Sequence, residues 1–227
     1  MPGGYFWIFP ISNIRFNIGL GAILSEIKPH TLPMLYRRLV RKFFRFSVAS
    51  EIVMNRGYGL IPVRRPFPML VWNGLMLVGD SGAQTNPIHA GGICSALRAS
   101  KIAASTILPL LDSDRKSFPM SDLWDYCYKY NRGEGLKHAI FEVARIILQN
   151  LKNEEIMLLV TLFKTLPLAY TRSLRNLITI DLRAPFKLTK TMITGGTRKI
   201  LYMIQRLRRC IETLRKLYEA FPRRPTQ

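Results

Sequence analysis

A short apolar run that ends in a carboxylate, followed by a glycine pair that opens a helix, can be folded in few ways. Here the run is Leu75-Met76-Leu77-Val78, and it stops at Gly79-Asp80. Four consecutive apolar residues predict a strand buried on both faces of a sheet, with Asp80 at its C-terminal edge. A turn-prone segment extends from Ser81 to Ala90, and Gly91-Gly92 leads into a tightly packed helix predicted over Ile93 to Leu108, with Pro109 close to its end. That order suits a polar, phosphate-bearing ligand. A carboxylate accepts hydrogen bonds from sugar-type hydroxyls, while glycines let backbone N–H groups and a helix N-terminus approach anionic oxygens. On these features alone, a nucleotide-type site and an ordinary strand, turn and packed helix both stay open.

Upstream, Tyr5 to Leu20 is rich in aromatic and β-branched residues, with Ser12-Asn13 between two apolar runs, and reads as a two-stranded hairpin. Tyr5, Trp7 and Phe9 alternate and so project from one face of the first strand. Such a stripe is either ordinary core or a rigid apolar wall. Gly19 and Gly21 bracket Leu20 where the second strand ends. Pro29 and Pro33 mark the start of a basic amphipathic helix over Leu32 to Phe46, with Leu35, Leu39 and Phe43 spaced by four and Arg37, Arg38, Arg41, Lys42 and Arg45 outward. A further strand is expected around Gly59 to Val63, which Pro66 and Pro68 keep from being a central one. Arg64 and Arg65 either meet a lipid phosphate or protect a strand edge.

Beyond Asp112 the composition changes. Residues 112–120 read as a linker, and 121–227 as a helical region with breaks at Pro167 and Pro185. Residues 1–111 then form a first domain, and the fold class is α+β, with a mixed or largely antiparallel sheet. Of the 227 residues, 48% are hydrophobic, enough for a sizeable core. The balance of 34 Lys and Arg against 14 Asp and Glu gives a net charge of +20, which favours an anionic membrane surface or nucleic acid. The basic residues are spread along the chain without a nucleic-acid module, which sets the second partner aside. Arg206, Arg208, Arg209, Arg215 and Lys216 accompany Leu201, Ile204, Leu207 and Leu214 in a last helix that either touches a membrane surface or packs with a charged outer face.

Cys94, Cys127 and Cys210 are odd in number and far apart, so no disulfide framework is expected and a reducing, cytoplasmic compartment fits. Cys94 reads as a small helix-packing residue. With His30, His89 and His138 no spacing suggests a metal site. No apolar run reaches the roughly 18 residues of a spanning helix, so membrane contact is expected to be peripheral.

The order Gly79-Asp80-Ser81-Gly82-Ala83-Gln84-Thr85-Asn86-Pro87-Ile88-His89-Ala90-Gly91-Gly92-Ile93 resembles the second FAD-binding motif of the para-hydroxybenzoate-hydroxylase-like flavoproteins. The resemblance implies that Asp80, after Gly79, holds the ribityl chain of FAD, and that Pro87, Gly91, Gly92 and Ile93 belong to the loop and helix start facing the flavin ring. Ser81 stands where alanine is common in that motif, and Ala90 where glycine is often found. His89 lies in the same loop and is either a titrating group or a structural, solvent-facing one. A second pattern, Tyr5-Phe6-Trp7-Ile8-Phe9-Pro10 followed by Gly19-Leu20-Gly21, resembles the lipid-cavity motif of geranylgeranyl reductases. It implies that Tyr5, Trp7, Phe9, Pro10, Gly19 and Gly21 bind a prenylated lipid.

Together the two resemblances, over roughly the first 110 residues, imply an FAD-dependent reductase that saturates isoprenoid double bonds in archaeal-type membrane lipids. They name neither the proton donor nor the electron donor. The family also carries a Gly-x-Gly-x-x-Gly turn for the FAD pyrophosphate, which this sequence lacks. A separate N-terminal FAD-binding chain, a truncated reading frame or a decayed remnant each account for that. A non-catalytic lipid-binding subunit is the competing function.

Overall fold

The computed structural model describes residues 4–28, 31–44, 55–111, 117–165 and 195–225. The chain divides into two compact units, Met1–Gly59 and Leu60–Gln227.

In the first unit, β1 (Tyr5–Pro10) pairs antiparallel with β2 (Phe16–Gly21), in register from Tyr5 opposite Gly21 to Pro10 opposite Phe16. The turn at Ser12-Asn13 is closed by the Arg15 carbonyl, which accepts from the N–H groups of Ile11 at 2.8 Å and Ser12 at 3.2 Å. The period of two puts Phe6 and Phe16 on one face. Helix α1 (Thr31–Phe44) packs there: the ring of Phe6 stacks on Phe43 at 5.6 Å and meets Tyr36 at 6.4 Å, and Phe16 meets Phe44 edge-on at 5.5 Å. Val40 is buried, while Arg37, Arg38, Arg41 and Lys42 are exposed, so the amphipathic reading of this helix holds. Pro29, Arg45 and Phe46 lie outside the described residues.

The second unit corrects two expectations. Residues 59–63 form no strand: Pro62 has no N–H to give to a ladder, and its carbonyl is taken instead by the Thr85 hydroxyl at 2.6 Å. The run Leu75 to Val78 is not a doubly buried strand either. Only Leu75–Met76 (β4) pairs, with Val71–Trp72 (β3), and Leu75 is 48% exposed. The two short strands meet at Asn73-Gly74, where Gly74 has φ +69°, the left-handed conformation that an Asn-Gly hairpin turn requires.

A 3-10 turn (Gly79–Gly82) follows, then α2 (Ile93–Leu111), longer than predicted and with Pro109 in its last turn. Its buried stripe is Ser95, Ala99, Ala103 and Thr106, small residues that allow close packing. Helix α3 (Met120–Tyr130), a π turn (Asn131–Gly135), α4 (Leu136–Gln149), α5 (Asn153–Thr165) and α6 (Gly195–Glu219) follow among the described residues. The helical character expected after residue 120 is therefore present among the described residues, which exclude Pro167 and Pro185.

The core of this unit draws on residues before 112 and after 120. Leu70, Val71, Ala99 and Ala103 pack with Leu123, Trp124, Tyr126, Cys127 and Tyr130. The Cys127 thiol, buried, donates to the Pro68 carbonyl at 3.0 Å, and burial raises its pKa. Cys94 corrects another expectation, since it is exposed on α2 and not packed. The described residues are a mixture of helices with two small antiparallel sheets, compatible with α+β. Among the described residues no helix is long and apolar enough to cross a membrane.

Candidate functional site

The candidate residues gather in two places, one in each unit. In the second unit, the chain leaves β4 extended at Val78, turns through Gly79 at φ +72°, and reverses at Ala83 in the left-handed region at φ 53°. The loop is fastened from beneath. Gln84, fully buried, accepts from the Gly79 N–H through Oε1 at 2.7 Å and donates through Nε2 to the Tyr126 hydroxyl at 2.8 Å. Tyr126 in turn donates to the Leu77 carbonyl at 2.8 Å, and burial pushes its phenol up to about 12.

Asp80, next to this clamp, is exposed and lines an open cavity of about 340 Å³ together with Ile61, Gly79, Thr85, Ala90, Gly92, Ile93 and Ala96. Gly92 keeps the gap open: a Cβ there would lie 3.1 Å from Thr85 Cγ2 and 3.2 Å from Asp80 Oδ1. Gly91 does a different job. Its N–H donates to His89 Nδ1 at 3.1 Å, and a Cβ would lie 2.6 Å from the imidazole. Ala90 adopts φ 56°, a conformation that favours glycine.

Of the cofactor residues read from the sequence, Gly79, Asp80, Gly92 and Ile93 come together on the cavity. Pro87 is buried and Gly91 faces the His89 ring, so neither belongs to its lining. Thr85 and Ala96 line it without having been singled out, and Gln84 supports it from below. Among the described residues no group of His, Cys, Asp or Glu could hold a metal ion.

In the first unit, Tyr5, Trp7 and Phe9 form a ribbon on the face of the hairpin opposite Phe6, with ring centroids 5.6 Å and 6.3 Å apart. A Cβ on Gly19 would lie 1.9 Å from Trp7 Cζ2, so the indole lies flat over that glycine. Gly21 is in ordinary contact distance of the Trp7 and Tyr5 rings, at 3.8 and 3.9 Å. Trp7 Nε1 donates to Asn17 Oδ1 at 2.8 Å, which fixes the ring's edge. Asn17 gave no signal in the sequence. Pro10 closes the strand opposite Phe16.

The remaining basic candidates separate by partner. Arg65 pairs with Glu142 at 3.0 Å, and the Arg64 guanidinium lies 4.9 Å over the Phe67 ring, neither on a strand. On α6, Ile211 is buried and Ile204, Leu207 and Leu214 half-buried, while Arg206, Arg208, Arg209, Arg215 and Lys216 are exposed.

Comparison with known proteins gives these two places a context. A family described as the geranylgeranyl reductase catalytic domain matches residues 1–59, the extent of the first unit. The chain is 29% identical over 227 residues to a digeranylgeranylglycerophospholipid reductase of Sulfolobus acidocaldarius, covering 99% of this chain and 49% of that protein. It is 32% identical over 157 residues to digeranylgeranylglycerophospholipid reductase 2 of Methanopyrus kandleri, covering 68% of this chain and 39% of the relative. A third reductase of that name, from Methanothrix thermoacetophila, is 37% identical over 112 residues, 49% of this chain and 28% of the relative. The chain thus spans half or less of the length of these relatives. It belongs to the geranylgeranyl reductase family.

Proposed function

We propose that this chain is the lipid-facing and flavin-contacting part of an FAD-dependent reductase that saturates carbon–carbon double bonds of geranylgeranyl chains in membrane-lipid synthesis. The observation that carries it is the juxtaposition of the Asp80 carboxylate with side-chain-free Gly92 across an open cavity. That arrangement fits a flavin: the carboxylate can accept from ribityl hydroxyls, and the bare backbone at the start of α2 can approach anionic or ring oxygens.

When bound, the flavin supplies hydride to one carbon of the alkene. The chain's own contribution is positioning and exclusion of water. Asp80 holds the polyol chain, with Gln84 and Tyr126 fixing the backbone beside it. Ile93 and Ala96 give the cavity an apolar side. The Tyr5, Trp7 and Phe9 ribbon, backed by Gly19 and Gly21, offers a rigid apolar surface for a prenyl chain, which has few polar handles of its own. A Gly-x-Gly-x-x-Gly pyrophosphate grip is absent from the 227 residues, so in this reading it comes from residues outside them. The substrate being a membrane lipid, the protein works at a bilayer surface, and the exposed basic faces of α1 and α6 suit an anionic one.

The test is the absorbance spectrum of this chain co-expressed with the coding sequence immediately upstream. A yellow complex that loses its flavin on Asp80→Ala is the expected result. A protein that stays colourless with added FAD sinks the enzyme reading and leaves a lipid-binding subunit or a remnant.

A further inference from the structure

Outside the cavity lining, two guanidinium groups of the second unit converge on a single phenol oxygen. Tyr128 on α3 accepts from Arg132 Nη1, and its oxygen also accepts from Arg223 Nε at 3.3 Å. The Arg132 guanidinium lies 5.2 Å over the same ring. A phenol oxygen has two lone pairs, so the two guanidinium bonds use its acceptor capacity and leave its O–H to donate outward. Among the described residues neither Arg132 nor Arg223 is paired with a carboxylate, whereas the neighbouring Lys129 is, to Asp125 at 2.6 Å.

The convergence is held in place rather than accidental. Trp124, one turn before Tyr128, donates from Nε1 to the Pro222 carbonyl at 2.9 Å and stacks on Phe221 at 5.9 Å. These contacts fix the tail after α6 against α3 and deliver Arg223 to the phenol, with exposed Arg224 beside it. The hydrogen bonds from Arg223 and then Arg132 lower the Tyr128 pKa, which makes its O–H a stronger donor.

We infer that Tyr128, Arg132 and Arg223 form a binding site for a phosphoryl group. Guanidinium forks match tetrahedral phosphate oxygens bidentately, and a phenol O–H adds a third, neutral donor. The site is independent of the flavin reading, since it uses none of the cavity residues. Its ligand is either the headgroup of an anionic phospholipid or a soluble phosphate.

The experiment uses the full chain and two probes: inorganic phosphate, followed by titration calorimetry, and phosphatidylcholine vesicles doped with phosphatidic acid, followed by co-sedimentation. Arg223→Gln is compared with Lys101→Gln, which removes the same charge from the exposed side of α2, and with Tyr128→Phe, which leaves net charge unchanged; circular dichroism checks that each is folded. Tyr128→Phe and Arg223→Gln are expected to weaken binding by roughly tenfold, and Lys101→Gln by far less. Loss on vesicles alone assigns the site to a lipid headgroup, and loss for both probes to a phosphate in either setting. Loss for inorganic phosphate alone assigns it to a soluble phosphate. Binding that is absent for both probes, or that follows net charge and ignores Tyr128→Phe, overturns the site.

Discussion

The indole of Trp7 occupies the space that a side chain at Gly19 would fill, with only 1.9 Å between an added Cβ and Cζ2 of the ring. The aromatic at 7 and the glycine at 19 are therefore one device, paired across the hairpin. Gly19→Ala is expected to lift the indole, break its bond to Asn17, and cost about 1–3 kcal/mol as overpacking. Gly21→Ala, where the nearest ring atom would be 3.8 Å away, is expected to be tolerated. Urea unfolding of the two variants checks this, and equal losses would mean that the ring has somewhere else to go.

Two other glycines make opposite predictions. Gly79 has φ +72°, so Gly79→Ala is expected to destabilise by about 1–2 kcal/mol through backbone strain beside Asp80. Gly133 lies in the π turn without a positive φ, and a Cβ there meets nothing within 4 Å. Gly133→Ala is expected to stabilise by about 0.5–1 kcal/mol, because it restricts the unfolded chain. Thermal unfolding distinguishes the two; a destabilising Gly133→Ala would refute the open surface.

What could be read along the sequence was what local pattern alone decides. The hairpin of β1 and β2, the amphipathic α1 and the small-residue α2 all followed from period and turn chemistry. Leu75 to Val78 misled because an apolar run by itself does not say how many of its residues pair. The informative signal was Asn73-Gly74 just before it, which marks a tight hairpin turn and so places Leu75 at an exposed hairpin end beside Trp72. Within the cavity, Asp80 and Gly92 were legible from motif order. Gln84 was not, because its partner Tyr126 is 42 residues away and only packing brings the two together.

That long-range clamp has its own consequence. Gln84→Leu removes the acceptor of the buried Gly79 N–H and is expected to cost about 1–3 kcal/mol, with weaker retention of whatever the Asp80 cavity binds. Tyr126 adds a pH dependence. Its phenol is raised from 10.0 to about 12 by burial, so between these values the unfolded chain loses the proton while the folded one keeps it. Stability contributed this way is complete below pH 10 and declines as pH rises towards 12. Tyr126→Phe should flatten the alkaline limb of a stability profile, and an unchanged slope would assign that limb elsewhere.

At the acid end the corresponding group is His138. It is 2% exposed, with Nδ1 3.2 Å from the Tyr130 hydroxyl and Nε2 3.4 Å from the Ser95 hydroxyl, and so ties α4 to α3 and α2. Burial lowers its pKa below 6.5; Glu134 opposes that shift, while Arg98, Lys137 and His89 reinforce it. Below the unfolded value the unfolded chain takes up a proton that the folded chain resists. Stability is therefore present in full above pH 6.5 and lost as pH falls through the folded value. His138→Gln, which keeps a donor and an acceptor without the titration, should hold its stability further into the acid range than the parent chain. Because Ser95 lies in the first turns of α2, beside Ile93 and Ala96, hydrogen exchange at the start of that helix should rise along the same acid limb in the parent and not in the variant. Matching acid limbs in both proteins would show that His138 is not the group that titrates.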